Sequence, residues 1–462
     1  MLDLDHAIFL WTLKFLFLNC HSVMNAWAKV GSAEAAQQAE ATLESLVQRA
    51  KGDKNDDGEQ SKLVDVRPDT IVFNSVIQCW ATSGDIRAGK KSLRLLEQMK
   101  ELASSYSSED DNDKKGEKIY FDTHPDIITY NTVLSAWSHC GKKNAAPQAE
   151  KIVKELVMEQ EKRQHHDSAD GTPDNVVVAN TITFNTVLHA WSKSKLPGAT
   201  DRAEKLLEYM IQSNNPEIQP DIYSFTCVMD AWAKSKEPNK ASHTRKLLDR
   251  LLDMRQEALR DRDKRKAEAL LPTQIPYNTV LNACAFSALK TPEEERREAI
   301  KIAVDTYKVM SSRITSESFK RKGGAIVASR DPVTYGLMLK CIANLMPKGT
   351  VRSRMALQIF QECCDDGLVG FLAWNEIRRA VPSKVLQEAF RLKRQCGSLE
   401  TKDLPKSWTI NCRGQRRQRR QNDRNGKTKG SNHKRKSAGQ SKRQPEDNIF
   451  IVERSFATGK DM

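Results

Sequence analysis

The stretch TYNTVLSAW, residues 129–137, recurs with small changes along most of the chain. The close copies are VFNSVIQCW (72–80), TFNTVLHAW (183–191), SFTCVMDAW (224–232) and PYNTVLNAC (276–284), and the weaker ones are HSVMNAW (21–27) and TYGLMLKCI (334–342). Successive copies end 41 to 58 residues apart. A phrase repeated this faithfully indicates a repeat architecture in which each copy belongs to one supersecondary unit.

The apolar residues of the phrase are spaced for one face of a helix. Tyr130, Val133, Leu134 and Trp137 fall at i, i+3, i+4 and i+7, which is typical of an amphipathic helix. A polar turn follows, and then a second segment with the same spacing, such as AEKLLEYM. Because one hairpin cannot bury both apolar stripes alone, the pattern predicts stacked helix-turn-helix units.

Several copies are preceded by Pro-Asp, which is a helix start signal. Proline disfavours the helical conformation in the residue before it, and aspartate is a good N-cap. The polar stretches KGDKNDDGEQSK and ASSYSSEDDNDKKGEK are interpreted as long insertions, either loops or polar extensions of the second helices. A solenoid with such insertions accommodates 462 residues without a single oversized core.

The composition argues against a membrane span, a metal site or a bound cofactor. The apolar run 7–18 is shorter than the roughly 20 residues that a span needs. The ten cysteines show no paired or metal-ligand spacing, and no deaminase or phosphate-loop motif occurs. We therefore expect neither cofactor nor catalytic activity.

The net charge of +14 is concentrated in residues 413–443, which hold 13 Lys and Arg against one Asp. This tail is predicted to be disordered and to contact phosphates non-specifically, unless it only solubilises the chain terminus. Its candidate phosphate contacts are Arg416, Arg417, Arg419, Arg420, Lys434, Arg435 and Lys436.

The phrase, with its Pro-Asp start and the second helix after it, resembles the pentatricopeptide-repeat family over about residues 17–368. The resemblance implies a right-handed α-solenoid that binds single-stranded RNA, one base per repeat. It also implies a mitochondrial or plastid protein that acts on RNA processing, stability or translation. The first residues, MLDLDHAIF, fit a transit peptide poorly, so the expected localisation rests on the resemblance.

The resemblance also predicts the domain organisation. We expect an N-terminal segment at 1–16, a repeat array at 17–368, capping helices at 369–412 and the tail at 413–462. The repeats are expected to begin near residues 17, 70, 127, 181, 222, 274 and 332.

In that family, two residues of each repeat select the base: the one after the aromatic residue of the first helix and the last one of the repeat. We call them the first and last positions. The first positions here are His21, Asn74, Asn131, Asn185, Thr226, Asn278 and Gly336. The last positions are Asp69, Asp126, Asn180, Asp221, Thr273 and Asp331, and the seventh repeat has no assigned last position, although Gly367 and Leu368 lie near it.

The geometry of a helix is compatible with this assignment. Asn131 lies about 100° around the helix from Tyr130, on the flank of the apolar stripe. Its amide offers one acceptor and two donors to a base edge. By the family's pattern, Asn with Asp implies uridine, Asn131 with Asn180 implies a pyrimidine, cytidine preferred, and Thr226 goes with a purine. The expected site is N-U-C/U-U-R-U, read 5′ to 3′ along the array.

Other readings stay open at this point. The terminal Asp residues could serve only as helix caps, and the Asn residues could be satisfied structural groups. The tryptophans at the helix ends are predicted to be core residues. The chain as a whole could be a protein-binding scaffold of the tetratricopeptide kind, or an organellar ribosome-associated protein that contacts RNA only through its tail. Ribosomal or RNA-processing proteins are further candidate partners.

Overall fold

The structure, a computed structural model, describes residues 22–52, 68–107, 123–165, 177–213, 215–287, 292–310, 328–391 and 399–412. The secondary-structure elements in these ranges are helices, which confirms the predicted all-α fold class. None of the described helices is both long and apolar enough to span a bilayer. The segment 1–21 and the tail 413–462 lie outside the described residues, and so do the expectations about them.

Helices α1 to α18 occupy, in chain order, 22–30, Ala33–Gly52, Thr70–Thr82, Ala88–Ser107, Ile127–His139, Ala145–His165, Thr181–Lys193, Ala199–Gln212, Ile222–Lys234, Lys240–Arg260, Lys264–Ala269, Gln274–Ala285, Glu293–Val309, Pro332–Leu345, Thr350–Asp365, Phe371–Ala380, Ser383–Phe390 and Lys406–Thr409. Short 3₁₀ turns lie at Pro216–Ile218 and Thr401–Asp403. The second helices α2 and α4 extend into the first residues of the polar stretches KGDKNDDGEQSK and ASSYSSEDDNDKKGEK, which the sequence analysis interprets as loops or polar extensions of these helices.

The helices pack as a series of hairpins. In each of the pairs α3–α4, α5–α6, α7–α8, α9–α10, α12–α13 and α14–α15, the first helix contacts the second. Each first helix also packs on the next one, in the order α3, α5, α7, α9, α12, α14 and α16. Stacked hairpins that contact only their neighbours are consistent with an α-solenoid of helical repeats.

The recurring phrase supplies the core of each hairpin. Val133 and Leu134 are fully buried, and Tyr130 and Trp137 are almost so. The tryptophans Trp80, Trp191 and Trp232 are buried in the same way, which confirms that they are core residues. Helix periodicity therefore separates packing residues from the flanking polar ones.

The Pro-Asp signals mark the N-termini of first helices, as predicted. Asp126 caps α5: its Oδ1 accepts hydrogen bonds from the backbone N–H of Thr129 at 2.7 Å and from the Thr129 hydroxyl at 2.8 Å. The Thr129 hydroxyl oxygen in turn accepts the backbone N–H of Asp126, which completes a capping box. The same box recurs at the starts of α7, α9 and α14.

The degenerate first copy of the phrase also joins the packing. Met24 in α1 is fully buried. From α3, the Cys79 thiol donates to the Met24 carbonyl oxygen at 3.4 Å, and the Thr82 hydroxyl donates to the Ala28 carbonyl oxygen at 3.1 Å. Residues 22–30 therefore occupy the place of a first helix beside α3.

The chain after α15 continues the packing of first helices and then covers the last hairpin. Helix α16 packs on α14, and the Trp374 indole N–H donates to the Leu399 carbonyl oxygen at 2.9 Å. The backbone N–H of Val369 donates to the Trp408 carbonyl oxygen at 2.8 Å. The ring of Trp408 packs edge-on against Phe360 of α15. Apolar surface at this end of the hairpin series is thereby covered by residues 399–411.

Candidate nucleic-acid interface

The structure brings three predicted first positions into contact with last positions of the same repeats. The amide Nδ2 of Asn74 donates to Asp126 Oδ1 at 3.2 Å, Asn185 Nδ2 donates to Asp221 Oδ1 at 3.1 Å, and Asn278 Nδ2 donates to Asp331 Oδ1 at 3.2 Å. These partners are 52, 36 and 53 residues apart in sequence, and each bond joins one first helix to the start of the next. We call these three contacts the Asn–Asp pairs.

In each pair, one carboxylate oxygen serves two purposes. Oδ1 of Asp126, Asp221 and Asp331 accepts the capping hydrogen bonds and also the Asn amide. Within the described part of the chain, every hydrogen bond to these carboxylates ends on Oδ1, and the three side chains are half-buried. The second oxygen, Oδ2, is therefore a candidate acceptor for a ligand. Capping and ligand reading are compatible at these residues.

The opposite side of each Asn amide is turned into the protein. Asn185 Oδ1 accepts the Ser224 hydroxyl at 2.6 Å, and Asn278 Oδ1 accepts the Thr334 hydroxyl at 2.7 Å. Asn74 Oδ1 is buried and accepts no hydrogen bond among the described residues. Because the carboxylate can only accept, it fixes the orientation of the amide, with Nδ2 toward Asp.

The remaining predicted positions depart from this arrangement. Asn131 and Asn180 form no hydrogen bond with each other in the described residues, and Asn131 Oδ1 is buried without a partner. Thr226 donates its hydroxyl to the Ile222 carbonyl oxygen of its own helix at 2.7 Å. Thr273 is exposed, and its hydroxyl oxygen caps the backbone N–H of Ile275 at 3.3 Å.

The predicted base-reading positions at the two ends of the repeat array also depart from the Asn–Asp arrangement. Asp69 caps α3 through the backbone N–H of Val72, whereas His21 lies outside the described residues, as do the seven candidate contacts of the tail. Gly336 is buried, and the residue directly before the next first helix is Gly370. Gly370 thus stands directly before α16, as the other last positions stand before their first helices, in the repeat for which the sequence analysis assigned no last position and noted only that Gly367 and Leu368 lie near it.

Sequence reasoning missed a row of exposed apolar side chains beside the first positions. Each lies three residues before a first position, and these side chains are 48–61% exposed. The members are Ile71, Ile128, Ile182, Tyr223 and Ile275. Residues three apart are neighbours on a helix surface, so this apolar row flanks the polar row. The sequence did contain a signal for this row, because each of these copies has an apolar residue outside its buried stripe.

Basic side chains lie in the last turn of three consecutive first helices. His139 ends α5, and Lys193 and Lys234 occupy the last turns of α7 and α9. Between them, the His189 ring lies 5.5 Å from the His139 ring and 6.4 Å from the Tyr223 ring, measured between centroids. Burial, and then the charge of Lys193, lower the pKa of His189 to about 3. His189 is thus neutral in the folded protein at neutral pH.

The depressed pKa of His189 predicts a loss of stability in acid. Below pH 6.5 the unfolded chain protonates this residue, whereas the folded protein does so only near pH 3. The folded state should therefore lose up to about 2 kcal/mol at pH 5 through this residue. We expect His189→Gln to show a smaller fall in melting temperature between pH 7.5 and pH 5 than the wild type. The exposed His124→Gln is the control, and an equal fall in all three proteins would contradict the prediction.

The described residues contain no cluster of three or more His, Cys, Asp or Glu side chains that could hold a metal ion. The geometry of this helical-repeat protein thus provides a polar pair at alternate interfaces between first helices, beside an apolar row. No family model matches the chain.

A search of curated proteins finds a pentatricopeptide repeat-containing chloroplastic protein of Arabidopsis thaliana, which is 26% identical to this chain over 220 residues. The match covers 48% of this chain and 21% of the Arabidopsis protein, so the chain spans about a fifth of the relative's length. The similarity is distant, and it points in the same direction as the repeated phrase.

Proposed function

We propose that this protein binds single-stranded RNA along the row of first helices, reads one base at each interface between neighbouring first helices, and regulates organellar transcripts after transcription. The observation that carries the proposal is the recurrence of the Asn–Asp pair at three interfaces, with N···O distances of 3.1–3.2 Å. A capping Asp needs no Asn from the preceding repeat. An Asn placed there in three repeats is therefore better explained by a shared ligand-reading role.

The chemistry of a pair suits uracil. The second hydrogen of Asn Nδ2 can be donated to a uracil carbonyl, while Asp Oδ2 can accept the uracil N3–H. Donor and acceptor stand side by side because the Asn–Asp bond holds them together. At the interface of Asn131 and Asn180, an amide replaces the carboxylate and can also donate, which suits the N3 acceptor of cytosine.

The apolar row supplies a second kind of contact. The faces of bases are apolar, and side chains such as Ile128 and Tyr223 stand exposed next to the residues that would meet base edges. Base stacking on aromatic side chains contributes about 1–3 kcal/mol per base in single-stranded complexes. A bound base would thus be flanked by apolar side chains while its edge meets the polar pair.

The phosphates would be met by cations at the other end of the same helices. Lys193 and Lys234 are candidates because they lie in the last turns of α7 and α9. The basic tail is a further candidate for contacts that are independent of sequence, and such contacts weaken as salt is raised. The organelle is proposed from the resemblance and from the printed name of the Arabidopsis relative, which is chloroplastic.

The proposal is tested by competition binding of the full chain to oligonucleotides of the form N-U-C-U-R-U. We expect replacement of any one uridine by adenosine to weaken binding about tenfold, since a wrong base costs about 1–3 kcal/mol. Equal affinity for poly-A and poly-U would contradict sequence-selective binding by the repeats.

The same assay separates this function from that of a protein-binding scaffold. A chain ending at Cys412 lacks the basic tail but keeps every described helix. We expect it to bind more weakly and to keep its preference for uridine. Loss of all RNA binding in the shortened chain would favour a scaffold whose tail is the sole RNA contact.

A further inference from the structure

The interface between α14 and α16 lacks the polar pair present at three other interfaces. Its first position is Gly336 and its last position is Gly370, so neither residue carries a side chain. Gly370 still caps the next first helix in an extended conformation, with φ −92° and ψ 176°. Helix α16 thus begins with the same backbone conformation as other first helices, but the side chains that would contact a base are missing.

The space of the missing amide is filled by Leu372. A Cβ added to Gly336 would lie 2.5 Å from Leu372 Cγ and 2.6 Å from Leu372 Cδ2. Real Cβ contacts are not this short, so the leucine occupies the volume that an Asn side chain would need. Leu372 is half-buried and packs against the core, and Gly336 is buried.

Two side-chain hydrogen bonds fix the position of α14. The Tyr335 hydroxyl donates to Asp366 Oδ2 at 2.6 Å, and Tyr335 is fully buried. Asp331, at the start of α14, remains engaged with Asn278 of the preceding interface. Because Gly336 has no side chain, α16 can pack closely against α14, and Leu372 fills the space between the two helices.

Leu372 occupies the same place in its helix as the exposed members of the apolar row. Ile275 is the second residue of α12, Ile128 is the second residue of α5, and Leu372 is the second residue of α16. Ile275 and Ile128 are 49% and 60% exposed, whereas Leu372 is turned against the neighbouring helix. A base at this interface would meet no donor or acceptor side chain from Gly336 or Gly370, and it would find Leu372 less exposed than Ile128 and Ile275.

We propose that Leu372 ends the reading surface, so that the uridine at Asn278–Asp331 is the last base the array reads and the nucleotide on its 3′ side is not discriminated. This inference rests on the proposed RNA binding. It makes Leu372 and Gly336 determinants of the length of the recognised site. The seventh copy of the phrase then has a structural role, since it supplies Asp331 to the sixth interface and closes the row behind it.

The test is competition binding of the full chain to two sets of oligonucleotides. One set varies the nucleotide 3′ of the last uridine, and the other replaces that uridine itself. We expect less than a twofold spread among A, C, G and U in the first set and about a tenfold loss in the second. A tenfold preference in the first set would overturn the proposal and leave RNA reading intact. If neither set discriminates, the proposed function fails and this inference fails with it.

A variant that reopens the interface gives a second test. Gly336→Asn, Gly370→Asp and Leu372→Gly together restore the polar pair and remove the obstructing side chain, including the Leu372 Cβ that would lie 2.8 Å from a Cβ on Gly336. A Cβ on Gly370 meets only Pro332 Cβ, at 3.4 Å, so that position has room. We expect the triple variant to gain a uridine preference of severalfold at the 3′ nucleotide, whereas Leu372→Gly alone gains none. A folded triple variant without this preference would contradict the role of Leu372, and the wild-type measurement decides the case if the variant does not fold.

Discussion

Replacing Asn278 with alanine is expected to lower affinity for the uridine-containing site about tenfold and to abolish discrimination at the last uridine only. The substitution removes the donor that Asp331 holds in place at 3.2 Å. A base contact of this kind contributes about 1–3 kcal/mol. Competition binding with uridine, cytidine, adenosine and guanosine at that position measures both effects.

The same helix offers a matched control. Asn282 lies one turn further along α12, is half-buried like Asn278, and is not part of an Asn–Asp pair. We expect Asn282→Ala to keep both the affinity and the preference within about twofold. If the two alanine variants lose affinity equally, the loss reflects a general disturbance of helix α12 and not the removal of a base-reading residue. If Asn278→Ala still discriminates among nucleotides at the last uridine position, the assignment of Asn278 as the residue that reads this base is contradicted.

The second large effect concerns stability. Trp137 is 2% exposed, and a Cβ on Gly89 of α4 would lie only 2.4 Å from its indole ring. Helix α4, the second helix of the preceding hairpin, therefore fits tightly over the indole. Trp137→Ala should cost about 3–5 kcal/mol, because it deletes a large buried side chain whose cavity the packed helices cannot close. Urea unfolding followed by circular dichroism measures the loss.

Trp27, at the end of the degenerate first copy, is the control for this change. It is only partly buried and packs at the edge of the core. We expect Trp27→Ala to cost less than half as much as Trp137→Ala. Equal losses would mean that the contribution of Trp137 to stability does not come from its burial against the preceding hairpin.

The fold was predictable because its determinants are local. The apolar spacing of Tyr130, Val133, Leu134 and Trp137 defines the buried face, and Asp126 marks the helix start. Each signal lies within a dozen residues and is repeated along the chain, so one hairpin predicts the next. The first helices identified in this way are the ones that pack in series.

The site was predictable only in part, because its contacts join distant residues. The row of Asn side chains could be read from the phrase, but the bond between Asn185 and Asp221 spans 36 residues and depends on how two hairpins stack. The sequence left open whether Asp221 only caps its helix, whereas in the structure one oxygen both caps the helix and holds the amide of Asn185. Closure of the last interface was not foreseen either, since it depends on Leu372 reaching Gly336.

The central claim is that a pair of side chains at one interface selects one base, and the interface of Thr226 and Thr273 provides the sharpest test. Thr226 and Thr273 form no hydrogen bond with each other among the described residues, and Thr273 already caps α12 through its side-chain oxygen. The double substitution Thr226→Asn with Thr273→Asp keeps a good capping residue and recreates the pair found at Asn185 and Asp221.

The decisive measurement is the relative affinity of this double variant for oligonucleotides that differ only at the fifth nucleotide of N-U-C-U-R-U. We predict that its preference changes from a purine to uridine by about tenfold, with the other positions unaffected. A double variant that folds like the wild type and keeps the wild-type preference at that nucleotide would contradict the claim.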